Sequence, residues 1–172
     1  MGVAADWSEK QPVADAGNST MNRSKDDINP TRKDNMDARI RYTTSLEGVT
    51  EEMLIGFFEG WKTKSVVNRH LQMLRGSDKV VLAIEESGRH VVGIINALCD
   101  GVNSAFIPML EVVPKYRKQE IGRELVRRML EELKEYPCID LACEPEMQPF
   151  YEKCGMRRST GMMIREHSRG EY

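Results

Sequence analysis

The chain has 172 residues, 40% of them apolar and 30% charged, with a formal charge of -2, which suits one globular core and excludes the broad basic field of a nonspecific nucleic-acid binder. No apolar run reaches the roughly 20 residues of a membrane helix, and acidic Asp6, Glu9 and Asp15 stand where a signal or transit peptide would avoid them. The expectation is a cytoplasmic protein with no membrane and no nucleic-acid partner, whose four cysteines, Cys99, Cys138, Cys143 and Cys154, lack the C-x-x-C spacing of a zinc or redox site.

Residues 1–37 are rich in Asp, Asn, Ser and Lys without apolar periodicity and are expected to be a disordered tail. Folded structure is expected over 38–166, with a short tail at 167–172. Ile40, Tyr42 and Thr44 alternate as in a first strand. Thr50 suits an N-cap for a helix carrying Met53, Leu54, Phe57 and Phe58, which Gly60 could end. A second helix is expected from Ser65, where Val66, Val67, His70, Leu71 and Leu74 repeat at helical spacing before Gly76.

From Lys79 the period changes. Val80–Ile84, Val91–Ile95 and Ala105–Val113, separated by Ser87-Gly88 and Asp100-Gly101, read as an antiparallel meander. Pro108 has no N–H for a ladder bond, so a bulge or splayed edge is expected there, unless it is simply an edge proline. Ile121, Leu125, Met129, Leu130 and Leu133 form one side of an amphipathic helix. A strand Cys138–Cys143 follows, with parallel pairing to the strand before the helix. A short helix Met147–Cys154 and a last strand Thr160–Arg165 complete the order β-α-α-β-β-β-α-β-α-β. The fold class is thus α/β (α+β): a mixed, mostly antiparallel sheet flanked by helices.

The junction between the meander and the amphipathic helix is chemically distinctive. Unpaired N–H groups at a helix start carry the positive end of its dipole. A loop that opens a helix and holds Arg117, Lys118 and Arg123 therefore suits an anion such as a pyrophosphate.

With these motifs in this order, the chain over roughly 39–165 resembles the GNAT superfamily of acyl-CoA-dependent N-acyltransferases. The family's pyrophosphate loop, Gln/Arg-x-x-Gly-x-Gly/Ala, is matched at both ends by Arg117-Lys118-Gln119-Glu120-Ile121-Gly122, with Glu120 in place of the first glycine. Pro149-Phe150-Tyr151-Glu152-Lys153-Cys154-Gly155-Met156 is similar to the family's Phe-Tyr-Glu-Lys-x-Gly-Phe segment. The resemblance implies acetyl-CoA as cofactor, held by residues 117–122 and Arg123, with its pantetheine arm on the backbone of Leu110, Val112 and Val113 in a gap between the fourth and fifth strands. It implies a small-molecule or peptide amine as acceptor, and pairing of two copies through an edge strand.

By the same resemblance Tyr151 is the candidate general acid for the departing thiolate; otherwise it is a core aromatic. Glu111 interrupts the apolar run Ile107–Val113 and is a candidate base if it faces the site, an ordinary outward carboxylate if not. Glu144 and Asp100 are reserves that could attract a cationic amine. Trp61, beside Lys62 and Thr63, is a candidate for the acceptor pocket. His70, His90 and His167 lack metal-ligand spacing. The expected activity is direct transfer of acetyl to a primary amine in a ternary complex. A catalytically weak CoA- or partner-binding module is the alternative, motivated by Glu120 and by the open choice of base.

Overall fold

The computed structural model describes residues 39–57, 69–87 and 90–162. The expected tail 1–37, Phe58, Gly60, Trp61, the helix start at 65–68, Gly88, residues 163–166 and the C-terminal tail lie outside the described residues.

Five strands among the described residues form one sheet in the order β1-β2-β3-β4-β5. β1 is Ile40–Thr43, β2 Lys79–Glu85, β3 His90–Cys99, β4 Ser104–Val112 and β5 Cys138–Leu141. The first four are antiparallel, whereas β4 and β5 pair in parallel through the helix α2, Ile121–Glu132. The continuous apolar runs of β2 and β3 are buried on both faces, as central strands covered on both sides should be. One face carries α2 with Leu125, Val126 and Met129 fully buried. The other packs Leu82, Val91 and Ile94 against the 3-10 turn Glu51–Leu54 and the helix α1, His70–Arg75.

Two expectations need correction, and a third is described only in part. Thr50 makes no side-chain cap bond, and Glu51–Leu54 closes as a 3-10 turn rather than an α-helix. β5 ends at Leu141, because the chain turns into Glu144 and the Pro145–Met147 turn, so Cys143 is beyond the strand. The expected strand Thr160–Arg165 has no ladder over Thr160–Met162, and 163–165 lie outside the described residues; Met162 lines a cavity of about 570 Å³ with Leu141, Cys143 and Tyr151 among others.

Candidate active site

The strand β4 changes partners along its length. Phe106 is opposite Leu98 but Met109 is opposite Asn96, so Ile107 and Pro108 together face Ala97. This is the bulge that a proline without an N–H favours. Pairing with β5 stops at Ile107–Leu141, and beyond it β4 continues to Val112 with no strand on that side among the described residues. A gap therefore opens between the two strands.

The backbone lining the gap follows from the ladder. Val113 N–H donates to Val92 O at 2.9 Å, and alternation directs Glu111 and Met109 toward β3 as well. Leu110 and Val112 consequently turn their backbone groups into the gap. Val112 O already accepts from Arg117 Nε at 2.9 Å. The expectation for Val113 is corrected: its N–H is bound to Val92 and its carbonyl accepts from Tyr116 N–H at 2.8 Å, so its backbone is committed within the chain.

After β4 the chain makes a 3-10 turn, Pro114–Tyr116, and enters the basic loop. Lys118 and Glu120 both adopt the left-handed region, with φ of 62° and 60°. Two features hold this unusual backbone. Tyr116 donates its hydroxyl to Glu85 Oε2 at 2.6 Å, tying the turn to β2, and Arg117 ties the loop to the end of β4. The Glu120 carboxylate turns away to Arg123, 2.7 Å from its guanidinium. The first turn of α2, from Ile121 through Gly122 to Arg123, then presents N–H groups that have no intrahelical acceptor. Gln119 is exposed, its side-chain amide 3.4 Å from Lys115 O.

The aromatic motif converges on the same junction. Tyr151 lies on α3, Gln148–Lys153, and is 7% exposed among the α2-side core residues. A methyl on Gly122 would sit 3.6 Å from Phe150 Cζ and 3.7 Å from Val112 Cγ2. The end of β4, the opening of α2 and the Phe150-Tyr151 pair are thus packed together. Burial is the main force that pushes the Tyr151 phenol up, with the Cys143 and Cys154 thiols adding to it. It keeps its proton at neutral pH. Both thiols are themselves pushed up by burial, so neither has the character of a nucleophile.

Glu111 is 6% exposed. It pairs with Ile94, which pairs with Leu82. Both partners belong to the layer under α1 and the Glu51–Leu54 turn, so Glu111 points to that face. Tyr151 packs on the opposite one. The two candidates flank β4 from either side, next to the gap.

Against family models, residues 46–156 match the acetyltransferase (GNAT) family. The chain belongs to the GNAT acetyltransferase family. A comparison with curated protein sequences finds no match. Among solved structures, the chain is 41% identical to a protein of Deinococcus radiodurans R1 described as a candidate acetyltransferase, covering 74% of this chain and 89% of that one, with a TM-score of 0.70. It is 28% identical to a GNAT-family acetyltransferase of Streptococcus pneumoniae TIGR4, over 76% of this chain and 100% of that one, at a TM-score of 0.61. Glucosamine-6-phosphate N-acetyltransferase of Arabidopsis thaliana shares the fold at 18% identity and a TM-score of 0.56, over 74% of this chain and 98% of that one.

Of the other candidates, Asp100 is placed apart from this GNAT junction. Asp100 Oδ1 accepts from Val102, Asn103 and Ser104 N–H groups at 2.8–2.9 Å, and those bonds hold its carboxyl below the usual range. It caps the β3–β4 hairpin, at the far end of β4 from the loop. Glu144 is exposed and precedes the Pro145–Met147 turn. Trp61 lies outside the described residues. Sequence reasoning missed Tyr116, whose hydroxyl partner is 31 residues away in the chain and leaves no local signal. It also missed Asn96, although a polar residue inside the apolar run Val91–Leu98 is the same kind of signal that marks Glu111.

Proposed function

We propose that this GNAT protein transfers acetyl from acetyl-CoA to a primary amine by direct attack in a ternary complex. The observation that carries the reading is the convergence at one junction of an unpaired β4 edge, a helix-opening cationic loop and a buried tyrosine that keeps its proton. These residues fit the cofactor. The backbone groups of Leu110 and the N–H of Val112 offer ladder-type bonds to an amide-bearing arm, and the N–H groups from Glu120 to Arg123, with Arg117 and Lys118 nearby, suit its phosphates.

When bound, acetyl-CoA supplies an acyl group already activated as a thioester, so no protein nucleophile is required. The chain's own residues then position and move protons. Tyr151 holds the proton that a departing thiolate needs. Glu111, on the opposite face of β4, is the candidate to take one from the amine, directly or through water. The backbone N–H groups on the open edge of β4 are fixed donors for charge developing on a carbonyl oxygen.

The alternative, a catalytically weak CoA- or partner-binding module, rests on Glu120, through its backbone strain and its charge beside phosphate, and on the open choice of base. Pairing of the Glu120 carboxylate with Arg123 weakens the charge part of that motive, while the left-handed backbone at Glu120 remains. The test is to incubate the protein with acetyl-CoA and a panel of amines and to follow free-thiol release. Tyr151→Phe is expected to lower turnover by about 10²-fold or more with CoA affinity nearly unchanged. Binding of CoA with no turnover on any amine would favour the module, and absence of CoA binding at millimolar concentration would sink both.

A further inference from the structure

Among the described residues three buried side chains are polar or charged: His70, Asn96 and Glu111. Asn96 and Glu111 point to the same face of the sheet. Glu111 is opposite Ile94 and Asn96 is opposite Met109, which makes Asn96 and Glu111 diagonal neighbours on adjacent strands, close enough for a small group to touch both. Asn96 is also next to Ala97, the residue opposite the Ile107–Pro108 bulge, where β4 parts from β5.

The orientation of the Asn96 amide is fixed. Its Nδ2 donates to Ser77 Oγ at 2.8 Å, and Ser77 Oγ in turn donates to Met73 O at 2.9 Å. Ser77 must therefore accept from Asn96, and the amide nitrogen faces the C-terminal end of α1. Its oxygen is left facing the other way. Asn96 is 2% exposed, and Oδ1 has no hydrogen-bond partner. Buried polar atoms in folded proteins are nearly always paired, so this oxygen is an acceptor that a bound ligand or an ordered water would satisfy.

We propose that Asn96 Oδ1 accepts a hydrogen bond from the amine substrate, holding its nitrogen between Asn96 and Glu111 on the α1 face of β4. The chemistry selects the ligand class. An amide oxygen beside a carboxylate attracts an N–H donor, protonated or neutral, and repels a carboxylate or phosphate. Asn96 is then a substrate-binding residue that sets the direction of approach toward the bulge. This deepens the N-acetyltransferase reading and rests on it.

The test uses the full chain with CoA present and four probes: butylamine, 2-phenylethylamine, spermidine and a lysine-bearing peptide. The side-chain amide signal of Asn96 is followed by ¹H–¹⁵N NMR, identified by its loss in Asn96→Leu. An amine that is acetylated is expected to shift that signal. Asn96→Leu is expected to raise the KM for that amine about tenfold, the effect of losing one useful hydrogen bond, with the KM for acetyl-CoA nearly unchanged and thermal stability not reduced. Asn96→Asp keeps an oxygen in place and is expected to retain amine affinity.

A purely structural amide would give a different pattern: lower stability in Asn96→Leu with both KM values unmoved, which overturns the proposal. So does turnover of an amine that leaves the Asn96 signal unchanged, or a loss in Asn96→Asp as large as in Asn96→Leu. Silence of that signal toward all four amines overturns it whether or not acetylation occurs. An amine that shifts the signal and is never acetylated would uphold the binding site while removing the transferase reading.

Discussion

Glu120 shows how one side chain can strain a loop and also neutralise itself. The left-handed backbone at this position, φ 60°, costs a non-glycine residue roughly 1–2 kcal/mol, and its exposed pair with Arg123 returns at most about 1 kcal/mol. Glu120→Gly should remove the strain and free Arg123 for phosphate. The expected outcome is a few-fold tighter CoA by titration calorimetry, and weaker binding would show that the carboxylate has a positive role. Tyr151 presents the opposite case, a group whose proton is kept by its surroundings. Because burial raises its proton affinity, the acid form persists through neutral pH. The turnover lost in Tyr151→Phe should therefore be lost about equally at pH 7 and pH 9.

At the scale of elements, α2 joins the sheet through two glycines with different reasons for being there. A methyl at Gly93 would lie 2.8 Å from Leu125 Cδ1 and 3.2 Å from Ile121 Cγ2, and Leu125 is fully buried with no room to swing aside. Gly93→Ala should destabilise by about 1–3 kcal/mol, measured by urea unfolding. At Gly122 the corresponding contacts begin at 3.6 Å. Gly122→Ala should fold as well as the parent, in agreement with the Gly/Ala choice at that place in the motif. The outer face of α2 carries a charge cluster instead. Hydrogen bonds from Arg127, with those from Arg128 and both charges assisting, hold the Glu124 carboxyl down to about 2 against an ordinary 4.5. A depressed carboxylate stabilises the fold above its unfolded pKa and loses that contribution as pH falls, here from about 4.5 toward 2. Arg127 is exposed and Arg128 half-buried, so the contribution is largely screened and under about 1 kcal/mol. Glu124→Gln should flatten the decline in stability across that window, with a smaller effect in high salt.

For the whole molecule, the proposed cofactor site spans parts that fold as separate elements: the edge of β4, the loop, the start of α2 and α3. A ligand that binds only when these are assembled stabilises the native state by mass action, about 2.7 kcal/mol at a hundred times its Kd. Saturating CoA should raise the melting temperature by several degrees in a thermal scan, and an unchanged value would argue that the junction does not bind it. The apolar periods of β2, β3 and α2 made the main elements legible, since burial writes itself into period two, period 3.6 or continuous apolar runs. The loop stood out through its local charge at a helix start, and the Phe150-Tyr151 segment through its resemblance to a family motif. The tie from Tyr116 to Glu85 was not legible, and the sheet face to which Glu111 turns depends on the register between strands.

Sequence alone therefore determined which residue types could bind an anion, donate a proton or accept one, because those properties belong to the side chains and to a helix start. Tertiary structure decided where they are placed. Register and the bulge at Ile107–Pro108 set which β4 amides face the gap, put Glu111 and Tyr151 on opposite sides of it, and left the Asn96 oxygen buried without a partner. These outcomes depend on contacts between strands far apart in the chain, which no local pattern encodes.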